Sequence, residues 1–192
     1  MSAYVDTDLP DGAGAGFSSA EADAVERAVR LYGGIDGKLV EIGTWTGRST
    51  VMLARRLPDW QILTVDSYPE YYPEAFLRMV GPATARELAA ANLAKFSNVR
   101  RVIGDSVRTA HEWLGGFVDV VFHDGGHSEG QAREDVLWWT ARVRPGGVFA
   151  LHDWCEETHL GVISGATPVF ETYGWERVEG YPVETVMAWR RP

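Results

Sequence analysis

Between residues 38 and 151 the chain alternates five short apolar runs with longer stretches of helical periodicity, and a glycine or aspartate follows each run within two residues. The runs at 38–42, 61–65, 99–103, 118–123 and 147–151 have strand length. Their alternation with helices predicts a parallel sheet with right-handed crossovers and helices on both faces. Such a sheet presents all its strand ends along one edge, where ligands bind. After the fifth run the pattern changes. Thr167-Pro168 reads as a helix N-cap and first helical residue, and Gly174 as the stop of that helix. Segments 175–179 and 185–190 then read as two strands joined by a turn around Tyr181-Pro182. A five-stranded parallel core followed by a hairpin is not the ordinary dinucleotide-binding plan.

The first strand end is the most distinctive. In Leu39-Val40-Glu41-Ile42-Gly43-Thr44-Trp45-Thr46-Gly47-Arg48-Ser49-Thr50 a strand breaks into a Gly-x-x-x-Gly turn and then into helix-compatible sequence. Glycines let the backbone approach a ligand closely, and the N–H groups opening the next helix favour a carboxylate or phosphate. Glu41 would repel a pyrophosphate but suits an ammonium group. The loop therefore fits a cofactor that carries both an amino group and a carboxylate.

A length of 192 residues predicts one domain with a sizeable core. The net charge of −9, with 18 Lys and Arg against 27 Asp and Glu, weighs against a nucleic-acid partner, which needs a basic stripe. The lone Cys155 cannot form an internal disulfide, and a catalytic thiol there has no supporting partner at fixed spacing. No basic-then-apolar leader precedes the helices and no run approaches bilayer length, so the expectation is a cytoplasmic chain with no membrane partner. Exposed tryptophans would point to a homodimer. Residues 1–17 read as a flexible arm; Gly12-Ala13-Gly14-Ala15-Gly16 lacks the spacing and the preceding strand of a dinucleotide fingerprint. Ser18-Ser19-Ala20-Glu21 has the form of a capping box and predicts a helix over 19–32, opening a domain over 18–192. The segment 68–82, with Tyr68, Tyr71, Tyr72 and three prolines, follows the second strand and is either a lid over the sheet edge or a structural aromatic loop.

Read together, the strand ends form a coherent set: Glu41 and the loop 43–47; Asp66; Gly104-Asp105-Ser106; Asp124-Gly125-Gly126-His127; and His152-Asp153-Trp154. Asp66 stands where a carboxylate accepts hydrogen bonds from two ribose hydroxyls, or is a solvated turn residue. Asp105 is a ligand contact, the N-cap of a helix running toward Leu114, or both.

These residues resemble the class I S-adenosylmethionine-dependent methyltransferases over nearly the whole chain. The resemblance implies an α/β, Rossmann-like, doubly wound seven-stranded sheet of order 3-2-1-4-5-7-6 with an antiparallel last strand. It further implies that Glu41, Gly43, Thr44, Trp45, Gly47 and Ser49 surround the methionine part of S-adenosylmethionine, that Asp66 holds the ribose, and that Asp105 and Ser106 hold the adenine, with Asp124 beside them. The run 122–130 followed by Arg144-Pro145-Gly146-Gly147 and His152-Asp153 is similar to small O-methyltransferases of the catechol and macrolide-sugar type, with a D-G-x-H…R-P-G-G…H-D pattern. That narrower resemblance implies methyl transfer to a hydroxyl of a small-molecule acceptor, a sugar or a phenol. The competing readings are a cofactor-binding module without catalysis and another enzyme of the same fold.

Many relatives of this kind use a divalent cation held by aspartates after the fourth and fifth strands, positions taken here by Asp124 and Asp153. Oxygen ligands suit Mg²⁺, which keeps several waters. Catechol-type enzymes place an Asn after the second aspartate, whereas this chain has Trp154, leaving the third ligand to water or substrate. The alternative is that both aspartates only hold turns. Two carboxylates so close should also raise at least one pKa when no cation is present. His127 is the expected proton acceptor, against a purely structural bond to backbone. His123 and His152 read as structural, with metal ligation the lesser role for His152. Trp138, Trp139 and Trp175 read as core or interface, and Ser128 with Gln131 as the cap of the next helix.

Overall fold

The computed structural model describes residues 16–68 and 82–192. The strands are β1 (Gly37–Ile42), β2 (Trp60–Asp66), β3 (Val99–Ile103), β4 (Val118–His123), β5 (Val143–Leu151), β6 (Glu176–Arg177) and β7 (Met187–Arg190). The helices are α1 (Ser19–Tyr32), α2 (Arg48–Arg56), α3 (Pro82–Leu93), α4 (Ser106–His111), α5 (Glu129–Thr140) and α6 (Leu160–Thr172). The sheet order is β3-β2-β1-β4-β5-β7-β6, as the family resemblance implies. β1 to β5 are parallel, while β7 runs antiparallel to both β5 and β6. Ile42 pairs with Val65 and His123, and His123 with Leu151, so the ends of β1, β2, β4 and β5 lie level along one edge.

Successive strand side chains point to opposite faces, and here both faces are buried. Leu39, Ile62, Val120 and Phe122 pack against Val25 and Val29 of α1 and Met52 and Leu53 of α2. Val40, Val65, Val121 and Phe149 pack on the other face against Val136 and Trp139 of α5 and Ala166 and Phe170 of α6. The capping box forms as predicted, with Ser18 N–H donating to Glu21 Oε2 at 2.7 Å and Glu21 N–H to Ser18 Oγ at 3.2 Å. Gln131 N–H likewise donates to Ser128 Oγ at 3.3 Å.

Three expectations change. Phe17, assigned to the arm, is 3% exposed and packs at 5.4 Å against the ring of His152, so the ordered domain begins before Ser18; residues 1–15 lie outside the described residues, as does the stretch 69–81 of the tyrosine-rich segment. Thr167-Pro168 does not open a helix. Pro168 sits inside α6, which starts at Leu160. Tertiary packing overrides the local signal: Gly161 and Gly165 lie so close to α5 that an added Cβ would come within 2.3 Å of His127 O and 2.5 Å of Glu129 O. The contact holds a helix that loses one backbone bond at proline. The helix expected to run toward Leu114 ends at His111. Among the described residues no helix is long and apolar enough to cross a membrane.

Candidate active site

A cavity of about 760 Å³ opens along the carboxyl edge of the sheet. Gly43, Thr44, Trp45 and Ser49 line it from the β1 side, Asp66 from β2, Asp105 and Ser106 from beyond β3. Asp124 and His127 line it from beyond β4, and His152 and Asp153 from beyond β5. Two residues expected at the ligand, Glu41 and Gly47, stand behind this wall. Gly47 turns the backbone into α2 at φ 82°. Glu41 is fully buried, and the Thr50 hydroxyl donates to its Oε2. Burial pushes its carboxyl up to about 7, against the lowering effect of the Thr50 hydroxyl.

The glycine turn is shaped by Asp66. Trp45 N–H donates to Asp66 Oδ2 at 2.7 Å and Tyr68 N–H to Oδ1 at 2.8 Å, while the Tyr68 hydroxyl donates to Trp45 O at 3.0 Å. Trp45 takes a left-handed φ of 42° within this bracing. A carboxylate oxygen accepts more than one hydrogen bond, so bracing the loop is compatible with holding a ribose. Asp105 caps α4 by accepting from Arg108 N–H at 2.8 Å, the capping role considered for it, and it also lines the cavity. The Ser106 hydroxyl donates to the buried carboxylate of Asp135, whose other oxygen lies 3.2 Å from His123 Nε2. His123 is thus structural, as expected. Asp135 went unnoticed in the sequence, although it shares a helical face with the apolar Ala132, Val136 and Trp139, a signal that a buried acid has a partner.

The other side of the cavity is dense in charge. His127 Nε2 lies 2.8 Å from Asp153 Oδ2, and His159 Nδ1 lies 3.4 Å from Asp153 Oδ1. His152 Nδ1 lies 3.0 Å from Asp124 Oδ1 and 3.2 Å from Asp153 Oδ2, and its Nε2 lies 3.0 Å from Glu21 Oε1. The three His152 contacts are charge contacts without linear N–H···O geometry. Burial would lower the pKa of His152, but Asp124, Asp153 and Glu21 outweigh it and push it up to about 12. The bond to Asp153 raises His127 against a smaller effect of burial.

The carboxylate expectation is therefore corrected. Asp124 and Asp153 do meet, but the pKa of Asp153 is lowered: burial raises it, and the imidazoles of His127 and His152 more than reverse that. The two aspartates expected to hold Mg²⁺ lie on either side of an imidazole nitrogen, with His152 Nδ1 3.0 Å from Asp124 Oδ1 and 3.2 Å from Asp153 Oδ2. Reasoning from sequence also missed Glu21, whose capping role is visible but whose reach to His152 depends on how α1 docks, and His159, which no spacing marks.

Residues 40–154 match the family described as a methyltransferase domain, well over half of the chain. Among solved structures, the fold is similar to that of the O-methyltransferase TomG from Streptomyces achromogenes, determined in complex with SAM, at 20% identity and a TM-score of 0.64 over 97% of this chain and 85% of that one. It is similar to the O-methyltransferase NovP at 16% identity and a TM-score of 0.70, covering 98% and 88% of the two chains. The calicheamicin methyltransferase CalS11 matches at 16% identity and a TM-score of 0.63, over 90% and 77%. At these identities the structures speak for the fold, and the family match speaks for the class. The chain belongs to the methyltransferase-domain family, and its fold is that of these methyltransferases.

Proposed function

We propose that the chain moves the methyl group of S-adenosylmethionine to a hydroxyl oxygen of a small molecule, a sugar or a phenol, with His127 taking the proton. The observation that carries this reading is the His127–Asp153 pair on the cavity wall, with Nε2 and Oδ2 2.8 Å apart. The cofactor, when bound, supplies an electrophilic methyl group on its sulfonium. The chain has to orient the acceptor and receive its proton as the new bond forms. A carboxylate against one imidazole nitrogen fixes the tautomer of the ring and stabilises the imidazolium that results. Trp45, Asp66, Asp105 and Ser106 would hold the cofactor across the cavity. The likeness to the O-methyltransferases TomG and NovP favours oxygen as the acceptor atom.

The test is S-adenosylhomocysteine release across a panel of hydroxylated acceptors. His127→Ala should lower turnover by about 10²–10⁴-fold with cofactor affinity nearly unchanged, since proton removal matters in the transition state alone. High pH, which ionises the acceptor without a base, should restore part of the loss. Wild-type turnover in that variant, with chemistry rate-limiting, would end the assignment of the base. Tight cofactor binding by the wild-type chain without turnover on any acceptor would favour a binding module instead.

A further inference from the structure

We infer that the chain carries a second ligand site, at the opposite edge of the sheet from the first, which takes a small aromatic anion. A cavity of about 380 Å³ opens at the amino ends of β1 to β4 and shares no lining residue with the cavity at the carboxyl edge. The sheet register assembles it. Lys38 pairs with Gln61, and one row further along this face Val40 pairs with Leu63 and Leu63 with Arg100, so these five side chains lie on the same side of the sheet. The crossover helix on that side, α4, is short. Its six residues span about 9 Å, whereas the six residues of β1 run about 20 Å. Beyond the end of α4 the loop through Trp113 and Gly115 supplies the wall that a longer helix would have filled.

The wall is fixed, and the charge on the lining has one sign. Trp113 Nε1 donates to Gly116 O at 2.6 Å, its ring meets that of Trp139 edge-on at 5.7 Å, and a Cβ on Gly115 would come within 2.5 Å of it, so the indole is held in one place. Val40 and Leu63 form an apolar floor. Lys38 Nζ donates to Gly115 O at 3.0 Å, which ties the ammonium to the same loop with protons to spare. Arg100 is exposed, and its guanidinium has neither a hydrogen bond nor an ion pair among the described residues. No carboxylate among the described residues lines this cavity, in a chain where 27 Asp and Glu outnumber 18 Lys and Arg. Asp119, which accepts from Lys38 N–H at 2.8 Å, is itself paired with Arg144 at 2.6 Å. An indole wall over an apolar floor suits a flat ring system, and a guanidinium beside an ammonium suits a carboxylate or sulfonate on it. The volume falls within the range of small-molecule pockets, about 300–1,000 Å³.

This site does not depend on the methyl-transfer reading, so it is tested without acceptor or turnover. Anilinonaphthalene sulfonate, an aromatic anion whose fluorescence rises on leaving water, should bind the full chain, and excess S-adenosylhomocysteine should leave it in place. Arg100→Gln and Lys38→Gln, both changes of exposed side chains, should each weaken the probe about 10-fold with melting temperature unchanged. Arg133→Gln, which removes the same charge from the exposed surface of α5, should bind the probe as the wild type does. Phenylnaphthylamine, the same ring system without the sulfonate, should bind about 10-fold more weakly than the anion. The proposal is overturned if the probe does not bind, if S-adenosylhomocysteine displaces it, or if neither cavity variant weakens it. It is overturned equally if Arg133→Gln costs as much as Arg100→Gln or if the neutral rings bind as tightly. A chain that holds the probe in this way yet never binds S-adenosylhomocysteine keeps this site and loses the methyl-transfer reading.

Discussion

Around the β1 loop the chain meets the cavity mostly with backbone and uncharged groups, Arg48 and Asp66 apart, whereas beyond β4 and β5 it meets it with carboxylates and imidazoles. On the first side Thr44 and Thr64 share a hydroxyl–hydroxyl bond of 2.6 Å, Asp66 is braced by two backbone N–H groups, and Glu41 is buried with its carboxyl shifted toward neutrality. On the second, four charged or chargeable side chains crowd around Asp153 and His152. The first kind of surface is fixed by chain conformation and suits a ligand that never changes. The second is set by individual side chains, so single substitutions can retune it for a new acceptor or ion. The two sides touch at Gly43, where a Cβ would come within 2.0 Å of Asp124 O.

That joint is where the comparison breaks most easily. Gly43→Ala adds a methyl group into backbone and imposes strain at φ 97°. Overpacking and left-handed strain together should cost about 4 kcal/mol or more. Denaturant titration should show that loss, with cofactor binding lost alongside it. A variant that folds with ordinary stability would mean the two sides are not held rigidly together.

The backbone-built side was the legible one. A glycine turn after an apolar run marks itself as a ligand loop, and the resemblance carried by the strand ends implied Gly43, Thr44, Trp45 and Ser49 around the ligand, together with the sheet order. The same local reading placed Asp66 at the cavity without revealing that it braces Trp45 and Tyr68. It placed Asp124 and Asp153 together but not the imidazole between them, because strand alternation leaves the direction of a residue just past the strand undetermined. Helix packing hid the rest. The docking of α1 brings Glu21 to His152, and the close approach of α6 to α5 moves a helix start from Thr167 to Leu160. Such contacts are decided by shape between distant segments, which spacing in one chain does not encode.

Glu41 offers a sharper test of the uncharged side. Its folded-state pKa rises from the ordinary 4.5 to about 7. Below pH 4.5 both folded and unfolded chains keep the proton, so the group contributes nothing. Between 4.5 and 7 the unfolded chain releases it while the folded chain holds it, and stability falls as pH rises, with the loss complete above 7. The size is of the order of 3 kcal/mol. Ligand-free protein should therefore lose stability from pH 5 to pH 8, and Glu41→Gln should flatten that decline. An unchanged slope in the variant would show that Glu41 ionises freely in the fold, and the contrast with the charged side would weaken.

The smallest expected effect separates the two jobs of Asp66. Asp66→Ala removes the acceptor for two loop N–H groups as well as the expected ribose contact, and should weaken S-adenosylhomocysteine binding by roughly 1–3 kcal/mol, the range for charge-assisted hydrogen bonds. Asp66→Asn keeps one carbonyl acceptor of the same shape, so it should recover much of the loop and its melting temperature. It offers an NH₂ donor where the second carboxylate oxygen had accepted, so affinity should stay low. Calorimetry beside thermal melting reads both quantities. If affinity follows melting temperature through the two variants, Asp66 acts only by shaping the loop; if Asn restores stability without affinity, the carboxylate itself holds the ligand. Unchanged affinity in Asp66→Ala removes the ribose contact altogether and leaves the backbone of the loop as the binding element on this side.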